Sequence, residues 1–166
     1  IKYEEDGYYS IINSTTGLAF DVKGAKTANS THVGIFEPHS NCNQDWVFEK
    51  GDDGYYTITS RCSSRVLDAT SLNNVVIFDN HGGDNQKWEL LKVDESTVVQ
   101  NTESNTLKNG TYQIVSKANN KAITVKDGAL SYTGDLQMTT KKTSSLSNQL
   151  FSIKYEEDGY YSIINS

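Results

Sequence analysis

Long apolar runs are missing from this sequence. No stretch approaches the roughly 18 residues a membrane helix needs, so membrane insertion by helices is not expected. A basic excess is missing too. The net charge is −6 and the acidic residues are scattered, which argues against a nucleic-acid surface. Histidine and cysteine are scarce, at three and two, and their spacing matches no metal-ligand pattern, so neither a metal nor another cofactor is expected. Cys42 and Cys62 are too few for a disulfide scaffold. Each lies near a predicted turn and the two could pair, but spacing alone cannot supply bridge geometry, and unpaired, inert thiols are the expectation. No Gly-rich phosphate loop, nucleophile elbow or repeated carboxylate pair is visible, so an enzyme is not expected. No basic-then-apolar leader opens the chain; since it begins inside a repeat, that says little about a parent protein.

What the sequence has is repetition. Asn43-Gln44-Asp45-Trp46 returns as Asn85-Gln86-Lys87-Trp88 and again as Asn148-Gln149-Leu150-Phe151, with Phe in place of Trp. Ahead of each copy stands a second phrase: Asp6-Gly7-Tyr8-Tyr9-Ser10-Ile11, Asp53-Gly54-Tyr55-Tyr56-Thr57-Ile58 and Asn109-Gly110-Thr111-Tyr112-Gln113-Ile114. A middle phrase recurs as Leu18–Val22, Arg65–Ala69 and Lys121–Val125. Three imperfect copies of a unit of roughly 40–50 residues indicate a repeat architecture. With ten tyrosines, one proline and abundant Asn, Ser and Thr, the units suit short strands joined by polar turns.

The first unit reads as strands over Tyr8 to Ile12, Leu18 to Val22, His32 to Phe36 and Trp46 to Phe48, separated by turns and a polar loop from Lys23 to Thr31. The second repeats this over Tyr55 to Ser60, Arg65 to Ala69, Val75 to Phe78 and Trp88 to Leu91. The two occupy residues 1–92. Residues 93–106, VDESTVVQNTESNT, have no counterpart and read as a linker between beads, able to span up to about 45 Å if extended. The third unit occupies residues 107–152. Its strands lie near Thr111 to Ser116, Ala122 to Val125, either Leu130 to Thr133 or Leu136 to Thr140, and from Phe151 onward. Residues 153–166 then repeat residues 1–14 at all fourteen positions. Drift has blurred the three internal units, so this identity points to a period of 152 residues in a tandem array. A permuted chain with one strand duplicated at its ends is the alternative.

Three four-stranded units, each ending in Gln-x-Trp or its Phe variant, resemble the ricin B-type lectin family. The resemblance implies an all-β fold, a β-trefoil of three four-stranded repeats around a pseudo-threefold axis. Tyr9, Ile11, Phe20 and Trp46 would point inward, as would Tyr56, Ile58, Leu67 and Trp88. Gln44, Trp46, Gln86, Trp88 and Gln149 take structural roles in such a fold, the glutamines bracing the loops of their own units. The family's sugar pocket maps onto Asp21, Phe36 and Asn43 in the first unit, with His39 as a further polar contact. The second unit offers Asp68, Phe78, Asn85 and His81. A carboxylate accepts hydroxyl donors, an amide both donates and accepts, and an aromatic face covers the apolar side of a pyranose. Thr124 replaces the Asp in the third unit and no aromatic follows it, so that site is expected to be dead.

Plainer readings stand beside these. Asp21 and Asp68 could serve as turn residues, Phe36 and Phe78 could be core, and either histidine taken alone is a weak candidate. The resulting expectation is a lectin module binding glycans, galactose-type among them, from a tandem array acting as an extracellular adhesin. The alternative is a structural bead of a surface fibre, on a cell or spore, whose partners are neighbouring copies of itself. Which sugar is bound depends on loop geometry that the sequence does not state.

Overall fold

The computed structural model describes residues 7–93, 107–126, 133–144 and 146–156. The linker residues 94–106, the alternative strand from Leu130 and the duplicated residues 157–166 lie outside them. The described chain is all β apart from short 3₁₀ turns. Its twelve strands are β1 (Tyr8–Asn13), β2 (Ala19–Val22), β3 (Thr31–Phe36), β4 (Trp46–Lys50), β5 (Tyr56–Ser60), β6 (Val66–Ala69), β7 (Val75–Phe78), β8 (Trp88–Lys92), β9 (Gly110–Ser116), β10 (Lys121–Val125), β11 (Thr133–Thr140) and β12 (Phe151–Glu156). Three 3₁₀ turns, at Lys23–Ala25, Cys42–Gln44 and Asp84–Gln86, sit in loops where the sequence shows no helical period. Among the described residues no helix is long and apolar enough to cross a membrane.

Strand pairing closes on itself. β1 pairs with β4, β4 with β5, β5 with β8, β8 with β9, β9 with β12 and β12 with β1, all antiparallel, forming a ring of six strands. The other six strands form the hairpins β2–β3, β6–β7 and β10–β11. These hairpins meet one another where β3 pairs with β7 and with β11, and where Asn74 bridges Gln137. Closure removes free edges from the ring, which is how an all-β domain avoids open pairing with other chains.

The interior is filled by the alternate residues of these strands. Ile11, Phe20, Trp46, Ile58, Leu67, Trp88, Ile114, Ile123 and Phe151 are fully buried. Tyr56, also expected to point inward, is only partly buried and packs against the core edge. Each Trp indole finds a backbone acceptor, Trp46 at the Phe20 carbonyl (3.4 Å) and Trp88 at the Leu67 carbonyl (3.2 Å). Phe151 occupies the third place without an N–H to satisfy, which is chemically consistent with its fully buried position. A backbone bond also recurs three times: Arg61 to Asp45, Lys117 to Lys87 and Ser14 to Leu150, each donor nitrogen 3.0 Å from its carbonyl. Each one anchors the turn after a ring strand to the residue preceding a neighbouring ring strand.

Two sequence expectations need correction. Cys42 and Cys62 are joined in a disulfide, with their Cα atoms 5.2 Å apart. Pairing of β4 with β5 carries the Cys62 turn back to the 3₁₀ turn holding Cys42, a juxtaposition that spacing alone does not reveal. Val93, assigned to the linker, instead continues the β8–β9 pairing by donating its N–H to the Thr111 carbonyl at 2.9 Å. The strands flanking the linker are therefore neighbours in the same ring.

Candidate functional site

Asp21 is brought to its position by the short strand β2, where it lies opposite Gly34 of β3. A Cβ at Gly34 would lie 2.4 Å from the Gly134 carbonyl oxygen, so only glycine permits β11 to approach β3 beneath the site. Asp21 is buried, its side chain 10% exposed, and its Oδ2 accepts a bond from Gln44 Nε2 at 2.9 Å. The same Gln44 nitrogen donates to the Glu37 carbonyl (3.0 Å), and Oε1 accepts the His39 N–H (2.8 Å). One buried amide thus fixes the carboxylate and both ends of the loop carrying the histidine.

The imidazole is placed by two contacts. His39 Nδ1 accepts the Asn41 N–H at 3.2 Å, which leaves the ring proton of neutral His39 on Nε2. Nε2 in turn lies 3.3 Å from Asp21 Oδ2. Phe36, at the end of β3, is 39% exposed and so is not core; its ring centroid is 6.2 Å from that of His39. Asn43 lies deeper, its side-chain amide donating to the Val22 carbonyl at 3.2 Å. Asp21, Phe36, His39 and Asn43 together line one cleft of about 490 Å³, with Lys23, Asn41 and Gly34 completing its wall.

The second unit reproduces this arrangement. Gln86 Nε2 donates to Asp68 Oδ2 (2.9 Å) and to the Asp79 carbonyl (2.9 Å), and its Oε1 accepts the His81 N–H (2.9 Å). His81 Nδ1 accepts the Gly83 N–H at 3.1 Å and Nε2 lies 3.7 Å from Asp68 Oδ2. A Cβ at Gly83 would come within 2.6 Å of the His81 ring and 2.8 Å of Asn85 Oδ1, so this glycine admits the imidazole. The Phe78 and His81 centroids are again 6.2 Å apart, and Asn85 donates to the Ala69 carbonyl at 3.3 Å.

The third unit keeps the brace without the carboxylate. Gln149 Nε2 donates to the Thr140 carbonyl (3.0 Å) and to the hydroxyls of Thr124 and Thr139 (3.1 Å each), while Oε1 accepts the Lys142 N–H (3.0 Å). Thr124 is buried and its hydroxyl is also 2.6 Å from that of Thr139. Lys142 stands where the other units carry histidine.

Asn41 and Lys23 were not selected from the sequence. The signal for Asn41 was its place two residues after the histidine, shared with Gly83, and it contributes only its backbone N–H to His39 Nδ1, so its side-chain identity conceals the role. Lys23 pairs with Asp135 of β11 across the edge of the first cleft. Among the described residues no group of His, Cys, Asp and Glu converges as a metal site.

Comparison with known proteins agrees with the repeat pattern. The family model described as ricin-type β-trefoil lectin domain-like matches residues 1–76, 42–109 and 84–166. Flavastacin from Elizabethkingia meningoseptica is 31% identical over 100 residues, which is 53% of this chain and 21% of flavastacin, so the chain spans about a fifth of that relative. The designed three-fold symmetric protein ThreeFoil superposes with a TM-score of 0.75 at 25% identity, covering 89% of this chain and 97% of ThreeFoil. The ricin B-like lectin of Macrolepiota procera, solved in complex with lactose, superposes with a TM-score of 0.67 at 14% identity over 93% of this chain and 98% of the lectin. With its matches together spanning the sequence, the chain belongs to the ricin-type β-trefoil lectin domain-like family.

Proposed function

We propose that the chain is a carbohydrate-binding module with one sugar site in each of its first two units and none in the third, the units standing around a pseudo-threefold axis. The observation that carries this reading is the doubled constellation of Asp, aromatic, His and Asn. Its members are scattered from Asp21 to Asn43 in the first unit and from Asp68 to Asn85 in the second, and both units assemble them with the same hydrogen bonds. In each, Gln and His occupy carboxylate Oδ2, and Oδ1 carries no hydrogen bond among the described residues. That oxygen is available to a sugar hydroxyl, beside a half-exposed aromatic face suited to pyranose C–H groups. A galactose-type glycan is the proposed ligand class, and binding rather than catalysis is the proposed activity.

A single shallow site exchanges water for protein at little net gain, so one sugar is held weakly. Two sites per bead, repeated along an array of near-identical 152-residue repeats, supply avidity. The identical fourteen-residue ends support such an array and with it an extracellular adhesin at a cell or spore surface. The same identity also favours a second reading, a fibre bead selected for length that need not bind sugar.

A glycan-binding screen of the chain beside Asp21→Ala/Asp68→Ala tests the proposal. The expected outcome is binding that falls by at least about 50-fold in the double variant, with the circular dichroism spectrum unchanged. Binding retained by the folded variant rejects the site assignment. Silence from both proteins transfers the reading to the fibre bead.

A further inference from the structure

The loops that follow Asp21 and Asp68 differ. β6 and β7 are joined by residues 70–74, which carry no charged side chain and close on themselves. Thr70 N–H meets the Asn74 carbonyl at 2.9 Å, and Asn74 N–H meets the Thr70 hydroxyl at 3.1 Å. β2 and β3 are joined by the longer stretch 23–30, which brings Lys23 and Lys26 to the same end of the hairpin. This loop is pinned to the second unit. Asn29 Oδ1 accepts from Arg65 Nε (2.6 Å) and from the Asp79 N–H (2.8 Å), while Ser30 N–H donates to the Ile77 carbonyl (2.9 Å). Along it lies a second cleft of about 590 Å³, whose wall includes Lys26, Asn29, His32 and Asp135. Lys23 lines both this cleft and the one holding Asp21, so the two are contiguous.

We propose that the first site extends past Lys23 into this second cleft, where Lys26 and His32 receive the carboxylate or sulfate of an acidic glycan whose neutral sugar lies on Asp21 and Phe36. The inference rests on the reading of Asp21 as a sugar site and adds to it a subsite for charge. Lys23 is engaged by Asp135. Lys26 and His32 are exposed, and among the described residues neither side chain has a hydrogen bond or an ion pair. An ammonium and an imidazole N–H left open beside one cleft suit an anionic oxygen. The one carboxylate lining the cleft, Asp135, is held below the usual carboxylate range, by the Lys23 bond first, against desolvation, and then by Lys23, His32 and Lys126 through space. The cleft is thus locally positive on a chain whose net charge is −6. The second unit offers no such partner. Asp21 lies opposite Gly34 and Asp68 opposite Val76, so Thr70 and Asn74 stand where the first unit has Lys23 and His32. The two sites therefore differ in the glycans they select.

Titration of the full chain followed by NMR, with one site silenced at a time, tests the extension. The probes are lactose, sialyllactose and sulfated lactose. In Asp68→Ala, which leaves the first site, at least one acidic probe is expected to bind about 5-fold tighter than lactose at low salt, the gain falling below about 2-fold in 0.5 M salt. Which probe gains tells carboxylate from sulfate. In Asp21→Ala, which leaves the second site, neither acidic probe should gain. Adding Lys26→Ala/His32→Ala to Asp68→Ala should bring the acidic probes down to the lactose level and leave lactose binding unchanged. Equal binding of all three probes by Asp68→Ala overturns the subsite and leaves the sugar site standing. So does a gain that survives Lys26→Ala/His32→Ala, or one that Asp21→Ala shares. Silence of the parent chain toward every probe, lactose included, overturns the sugar site itself and the subsite with it.

Discussion

Gln44 accepts or donates three hydrogen bonds within one unit, to Asp21, to Glu37 and to His39. Removing it leaves a buried carboxylate, a carbonyl and an N–H without their partner, and each such group costs about 1–3 kcal/mol when it cannot be rehydrated. Gln44→Ala is therefore expected to lose roughly 3 kcal/mol and about 6–12 °C in Tm, measured by thermal unfolding. It should also weaken glycan binding at the first site, since the loop carrying His39 loses its anchor. A Tm within 1 °C of the parent would show that the loop holds without it. The sequence marks this residue through the repeated motif. That its donor meets the same carboxylate proposed to bind sugar is a tertiary fact, since 23 positions separate the two residues.

The turns between strands use different chemistry in equivalent places. Between the first and second units, Cys42–Cys62 staples the 3₁₀ turn before β4 to the turn after β5. Between the second and third, Asp84 stands in the place of Cys42 and Ala118 in that of Cys62, and the turns are joined instead by a 3.4 Å ion pair from Asp84 to the adjacent Lys117. The disulfide closes a loop with a sequence separation of 20, for which chain entropy gives about 3 kcal/mol. The variant Cys42→Ser/Cys62→Ser should lose about 2–4 kcal/mol in guanidinium unfolding. Because Asn43 and Gln44 ride on the stapled turn, the first site should weaken more than the second in the same variant. Unchanged stability would mean that the β4–β5 pairing alone holds the turn. Strands themselves were largely readable, from alternation bounded by Gly, Asn and Ser. The bridge was not, because it depends on which strands pair.

At the scale of the molecule, Asp53 connects three segments. It lies in the β4–β5 loop and meets Lys87 before β8 at 3.0 Å and Lys117 after β9 at 3.4 Å. The bond from Lys87, then the Tyr55 N–H, and a further bond from Lys117 hold its carboxyl down at about 2. A folded value below the unfolded value of about 3.9 gives stability that is present above that value and is lost as pH falls toward 2. Asp53→Asn should therefore lower Tm at pH 7, by a margin that shrinks below pH 4 and vanishes only well below the folded value of about 2. The carboxylate is exposed, so 0.5 M salt should also shrink the margin. A difference as large at pH 2 as at pH 7 would point to packing instead.

The sequence by itself determined the all-β class, the family, the three strand phrases and seven of the eight inward positions it named, because period-2 alternation and turn residues are local properties. It also marked Asp21, Phe36, His39 and Asn43 and their counterparts as recurring sets. Tertiary structure alone decided that each set meets at one place, that His39 turns its Nε2 toward Asp21, that Phe36 faces outward and that the cysteines pair. Those outcomes depend on which strands become neighbours when the ring closes. Strand pairing joins residues far apart in the chain, and no local pattern encodes which face of a loop a closed sheet will leave open.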